Sequence, residues 1–153
     1  MPRIEEKLKA MGLVLPLAPT PVANYVGAVQ AGDLVFVSGH GPVKDGTLVY
    51  RGKLGRDFSV SEGYEAAKLV MLNCLASLRD AIGDLDRVQR IVKLLGLVNS
   101  TPDFLEQPGV INGASDLLVE LFGDRGRHAR SAVGMAVLPF DIAVEIEMIV
   151  QVA

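Results

Sequence analysis

A chain of 153 residues that is 50% hydrophobic reads as one globular domain with a buried core, which excludes an intrinsically disordered protein. A net charge of −3 with no basic tract argues against a dedicated nucleic-acid or anionic-membrane binder. The single cysteine, Cys74, rules out a disulfide within the chain. With no leader-like segment and no apolar run near ~20 residues, a reducing cytoplasm is the expected compartment.

Residues 3–11 read as a short amphipathic helix, with Ile4, Leu8 and Met11 on one face, Glu5, Glu6 and Lys7 in solvent, and Gly12 as its stop. It would cap the edge of the domain, or else serve as a lid or subunit contact. Pro16, Pro19 and Pro21 then enforce an extended connection. Residues 25–30 and 33–38 read as two strands joined at Ala31-Gly32. Val35 and Val37 point one way, Leu34 and Phe36 the other, and both faces are apolar. Such a strand is expected to be covered twice, by helices on one side and by another subunit on the other. In Ser38-Gly39-His40-Gly41-Pro42, two glycines around a polar residue would let the backbone approach a ligand and expose N–H donors. A plain tight turn would use the same residues. Residues 43–50 form a hairpin around Asp45-Gly46, and 51–57 a polar, Gly-containing loop that either covers a cleft or is solvated.

The longest helix is expected over 61–82, with Ser61 as N-cap. Ala66, Leu69, Val70, Asn73, Leu75, Leu78 and Ile82 give it a broad apolar stripe, Cys74 a buried thiol, and Gly83 its end. Residues 88–99 are a long β-branched strand, closed by the breaker chemistry of Asn99-Ser100-Thr101-Pro102-Asp103. A second helix within 104–122 carries Ile111, Ala114, Leu117, Leu118 and Leu121 as its stripe, Asn112 near its start and Gly123 as its cap. Residues 131–138 then read as a strand, broken at Pro139-Phe140-Asp141. Residues 142–152 alternate, with Ile142, Val144, Ile146, Met148 and Val150 on one face and Glu145 and Glu147 on the other. Strand, turn and strand suggest a hairpin. Packing does not account for Arg130 at its mouth or for Glu145 in an apolar strand. The planar fork of an arginine suits a carboxylate held by two parallel hydrogen bonds. The order β-β-β-α-β-α-β-β describes an α+β fold in which two helices pack on a mixed sheet.

Ala129-Arg130-Ser131, Leu138-Pro139 and Val144-Glu145-Ile146-Glu147 together resemble the C-terminal signature of the RidA/YjgF family of reactive imine deaminases. Asn24-Tyr25-Val26 and Val37-Ser38-Gly39-His40-Gly41-Pro42 resemble its N-terminal strand and Ser-Gly-x-x-Pro turn. The two blocks stand in the family's order and near its spacing, from Pro21 to the chain end, with the fit closest to a longer-loop branch. The resemblance implies a chorismate-mutase-like α+β fold with two helices on one face of the sheet. It also implies a homotrimer with sites in clefts between subunits, and hydrolysis of a 2-imino or enamine acid to a 2-keto acid and ammonia. Arg130 would clamp the substrate carboxylate, and Glu145 would orient or deprotonate the attacking water. Tyr25 would line the cleft, and amides near Ser38, Gly39 and Ala132 would add polar contacts. Asn112 would border the site, and His40 stands where the family has Gln or a similar residue. No metal or organic cofactor is implied. Ala132 occupies the position where the family often has Cys, so any role of that thiol is absent.

Other readings stand beside this one. Arg130 could be a structural ion pair with Glu145 or Glu147. Ser131 lacks an evident triad, and His128 lies in a loop. The chain could bind a keto acid or similar metabolite without turnover. A nuclease or translation-inhibitor role, named for some relatives, is opposed by the acidic balance.

Overall fold

The computed structural model describes residues 3–153. Helix α1 (Arg3–Ala10) buries Ile4 and Leu8, one turn apart. The amides of Arg3 and Ile4, which lack intrahelical partners, donate to the Asp86 carboxylate at 2.7 and 2.9 Å. Lys7 reaches the Leu121 carbonyl, and Glu5 pairs with Arg79. These ties make α1 a fixed cap on the domain edge. No helix among the described residues is long and apolar enough to cross a membrane.

Strands β1 (Ala28–Ala31) and β2 (Leu34–His40) form the first hairpin. The strand begins at Ala28 and not at residue 25. Gly32 supplies the positive φ of +65° that the turn requires. Two short strands, β3 (Val43–Lys44) and β4 (Thr47–Leu48), pair around Asp45-Gly46, both in the left-handed region, as expected for this turn. Helix α2 (Val60–Ile82) starts one residue earlier than expected. Ser59, not Ser61, is the N-cap, and its hydroxyl and the Glu62 carboxylate satisfy each other's backbone amides. The Ser-x-x-Glu spacing of this capping box outranks a serine without the partner. Strand β5 (Val88–Asn99), helix α3 (Gln107–Phe122), strand β6 (Ala129–Met135) and strand β7 (Val144–Val152) complete the chain.

The main sheet has the order β1-β2-β7-β5-β6, with β5 and β6 parallel and the other pairs antiparallel. This is the mixed α+β architecture expected. It corrects one reading: residues 131–152 are not a hairpin, because β5 lies between β6 and β7. Parallel strands need a crossover, and α3 provides it, carrying the chain from the end of β5 back to the start of β6. The stretch after β6 then passes a 3-10 turn at Pro139–Asp141 before β7 enters on the far side of β5.

One face of the sheet is packed under α2 and α3. Val35, Val37, Ile91, Leu94, Val98, Val144, Ile146, Met148 and Val150 are all buried there with Ile111, Leu118 and Leu75. Cys74 is buried and free. The opposite face carries Val29 and Phe36, which pair across β1 and β2, and Val133 and Met135 on β6, with exposures of 53%, 44%, 43% and 37%. An apolar sheet face left open is unusual for a soluble monomer.

Candidate functional site

Two clusters of polar side chains sit on opposite sides of the sheet. The first surrounds Glu145. In β7, Val144 and Ile146 turn into the core, so Glu145 projects from the open face. Its side chain lies across Gly39, where an added Cβ would come within 2.7 Å of Glu145 Oε2. The β2–β7 register slips between Val37 and His40, and this bulge sets Gly39 beneath the carboxylate. No ion pair among the described residues engages Glu145. Burial raises its pKa, and the neighbouring Glu147 adds to the shift.

Glu145 forms part of a groove of about 1150 Å³, with Tyr25, Gly39, His40, Arg51 and Phe140 and the proline-rich segment 16–22. Arg51 Nε donates to the Phe140 carbonyl at 2.9 Å. Tyr50, Phe140 and Asp141 adopt positive φ of 51°, 58° and 60°, a conformation that costs energy for side-chain-bearing residues. Buried Asn99 locks the strained turns together, donating to Gly52 O at 3.1 Å and to Asp141 Oδ1 at 2.9 Å, while accepting from Lys53 Nζ at 2.6 Å. The beginning of the 51–57 loop is therefore a fixed wall of the groove. Of the two readings of the 51–57 loop, a cleft cover or a solvated segment, Arg51 fits the first.

Two of the expected contacts are differently employed. The Ser38 amide is bonded to Gly27 O at 2.9 Å and its hydroxyl to Val26 O at 2.6 Å. Ser38 thus anchors the N-terminal segment, and its amide is not available to a ligand. His40 turns from the sheet toward α2. Its Nδ1 faces the Ser38 carbonyl, which can only accept, so Nδ1 carries the proton and Nε2 accepts from the Ser77 hydroxyl at 2.7 Å. Burial lowers its pKa, against the raising effect of the Ser38 bond. Both ring nitrogens are occupied, which makes His40 a neutral strut between the bulge and α2.

The second cluster surrounds Arg130. Arg130 is opposite Leu94 in β5, which in turn is opposite Met148, and both partners are core residues. Arg130 therefore projects to the helix side, at the edge strand. Its Nη1 donates to Asn112 Oδ1 at 2.8 Å and to Ser115 Oγ at 3.1 Å, both on α3. Ala132 lies on the same side and packs against the core. Ser115 Oγ is 2.8 Å from His128 Nε2, and His128 Nδ1 is 2.7 Å from Gly126 O. No carboxylate among the described residues pairs with Arg130, which removes the structural ion pair with Glu145 or Glu147. Asn112, the residue the resemblance would set at the border of a site, lies beside Arg130. Ser115 escaped the sequence reading, and His128 was weighed there only beside Ser131, because the contact between them joins a helix face to a loop with no shared spacing.

Within one chain, then, Tyr25, Gly39, His40 and Glu145 gather on one groove, and Arg130, Asn112 and Ala132 gather elsewhere. Strand β5 separates Arg130 from Glu145, and the two point to opposite sides. Among the described residues no group of three or more His, Cys, Asp or Glu is placed to hold a metal ion.

Residues 5–151 match the family model described as "YjgF/chorismate mutase-like, putative endoribonuclease". The protein TCP17 of Trypanosoma cruzi is 46% identical over 150 residues, covering 97% of this chain and 94% of that protein. The crystal structure of Atu1372 from Agrobacterium tumefaciens, a protein of unknown function, superposes with a TM-score of 0.92 at 46% identity, covering 98% of this chain and 92% of that one. RidA from a Psychrobacter species superposes with a TM-score of 0.62 at 28% identity, over 88% of this chain and 94% of its own. Sequence match and fold agree, and the chain belongs to the YjgF/RidA family.

Proposed function

We propose that the protein hydrolyses reactive 2-imino or enamine acids to 2-keto acids and ammonia, in clefts built by neighbouring copies of a homotrimer. One observation carries the reading. Arg130 is held by two neutral acceptors on α3, and has its remaining N–H groups without a protein partner among the described residues. A guanidinium arranged in this way is preorganised for a carboxylate. The substrate carboxylate would dock on Arg130, which fixes the adjacent C=N carbon. Glu145 of the adjoining copy would take a proton from water as the oxygen attacks that carbon. The proton returns to nitrogen, and the carbinolamine collapses to ketone and ammonia. A carboxylate whose proton affinity is raised by burial suits this exchange. Tyr25, at the same groove, would contribute its hydroxyl. The apolar open face supplies a surface for assembly, and assembly would bring Arg130 and Glu145 together where one chain does not. The free, buried Cys74 suits a reducing compartment such as the cytoplasm.

The test is release of ammonia and keto acid from freshly generated imino acids, with particle mass measured by light scattering. Turnover above the buffer rate is expected from a trimer, and its loss in Arg130→Ala. A folded trimer that accelerates no imine would overturn the proposal. A second reading follows from the separation of the clusters. The carboxylate clamp is complete within one chain, whereas Glu145 is remote, so carboxylate binding without turnover is the alternative. Pyruvate binding with no imine hydrolysis would establish it. The net charge of −3 runs against RNA cleavage as the principal activity.

A further inference from the structure

The hydrogen bonds behind Arg130 form a directed chain, and their direction follows from elementary donor and acceptor rules. The Gly126 carbonyl can only accept, so the His128 proton is on Nδ1 and Nε2 presents a lone pair. The Ser115 hydroxyl must then donate to Nε2, which leaves its oxygen lone pairs for Arg130 Nη1. A serine hydroxyl on a helix normally rotates; here its direction is set from behind. Asn112 Oδ1 also accepts from Nη1, so both hydrogens of that nitrogen are used. What remains is the other edge of the guanidinium, Nε and Nη2, the two-pronged edge that fits a carboxylate.

The support behind His128 is rigid as well. A Cβ added at Gly126 would lie 2.2 Å from the Leu118 carbonyl oxygen, so this turn sits directly on α3 and only glycine allows the approach. The imidazole is partly buried beside the Arg130 charge, and both conditions favour its neutral form. The two supports of the arginine are themselves uncharged. A carboxylate in the place of Ser115 or Asn112 would neutralise the guanidinium and compete with any anionic ligand.

From this arrangement we infer that Ser115 and His128 are positioning residues for Arg130 and set the affinity of the site for the substrate carboxylate. The inference rests on the reading above, in which Arg130 clamps that carboxylate. His128 acts through Ser115 and Ser115 through Arg130; neither touches substrate. The consequence is specific. Removing the hydroxyl should weaken carboxylate binding and leave the chemical step, which belongs to water and Glu145, nearly untouched.

The experiment compares wild type, Ser115→Ala, Ser115→Thr, His128→Phe, the Ser115→Ala/His128→Phe double variant and Arg130→Ala. Pyruvate binding is measured by calorimetry, and kcat and KM with a fresh imino acid. The expected result for Ser115→Ala is a roughly tenfold rise in KM and in the pyruvate Kd, on the scale of one lost hydrogen bond to a charged group, with kcat within about twofold. Ser115→Thr, which keeps the hydroxyl, should restore affinity. His128→Phe should weaken binding in the same direction, and the double variant should be no weaker than Ser115→Ala, because the two residues act in series. Wild-type pyruvate affinity in Ser115→Ala, alongside lost binding in Arg130→Ala, overturns the positioning role and leaves the clamp intact. Additive effects in the double variant overturn the serial arrangement. A wild-type protein that neither binds pyruvate nor hydrolyses an imine overturns the clamp, and the inference with it.

Discussion

The substitution Gly39→Ala probes the groove most directly. Gly39 is not among the positive-φ positions, so alanine meets no backbone penalty there. The three atoms nearest its Cβ would all belong to Glu145, at 2.7 Å for Oε2, 3.1 Å for Cδ and 3.3 Å for Cγ. To regain ordinary contact near ~3.4 Å, the carboxylate must move by about 0.7 Å, and Glu145 is the end of a flexible side chain able to do so. The stability cost is then that of one displaced rotamer, about 0.5–1.5 kcal/mol. The catalytic cost is larger, because misplacing a reacting group by ~1 Å can slow a reaction about 100-fold. The expected outcome is a fall in kcat of roughly 10- to 100-fold, with pyruvate affinity at Arg130 unchanged and Tm within a few degrees of wild type. Stopped assays of ammonia release, calorimetric titration with pyruvate and a thermal melt give the three readings. Wild-type kcat in a folded Gly39→Ala protein would show that the position of Glu145 over Gly39 has no part in the reaction.

Glu145→Gln should abolish turnover and also stabilise the protein at neutral pH. Burial, and then the neighbouring Glu147, raise the folded-state pKa of Glu145 above the ordinary carboxylate range. The stability that its protonated form contributes is complete below the unfolded pKa and is lost as pH rises through the folded value. Melts of wild type and variant should therefore diverge as pH rises from about 4 to 8, with the variant higher; curves that stay parallel would contradict the assigned environment. Gly113→Ala should be costly for a different reason. Its Cβ would lie 1.9 Å from the backbone oxygen of Tyr64, so α2 and α3 must separate. The gain in helix propensity, at most ~1 kcal/mol, is outweighed by overpacking of about 1–3 kcal/mol or more. A clear fall in Tm is expected, and an unchanged melt would contradict so close a crossing of α2 and α3.

Much of this protein is legible one residue at a time. The alternation from Ile142 to Val150 assigned the core face of this stretch, and Ile142, Val144, Ile146, Met148 and Val150 are all buried. The two helix stripes, the Asp45-Gly46 turn and the glycine stops follow from local chemistry. Arg130 and Glu145 stood out because a charge in an apolar strand needs an account. Where local signals competed, a fuller motif decided: Ser59 has its Glu62 and Ser61 has no such partner. The arrangement of the groove was not legible, since Arg51 and Phe140 reach it through turns held by Asn99, which is 48 and 41 residues away in the sequence.

By itself the sequence determined which segments are helical or extended, though not their exact ends, which faces are apolar, and which charges stand apart from the apolar pattern, because these depend on periodicities of two and 3.6 and on contacts within a turn. Tertiary structure alone decided that β5 separates β6 from β7 and that α3 is the crossover between parallel strands. It likewise decided that Arg130 and Glu145 face opposite ways and that Ser115 meets His128. Periodicity states which way a side chain points, not which strand lies beside it. Neighbours are chosen by how the whole chain buries its apolar faces while pairing its backbone.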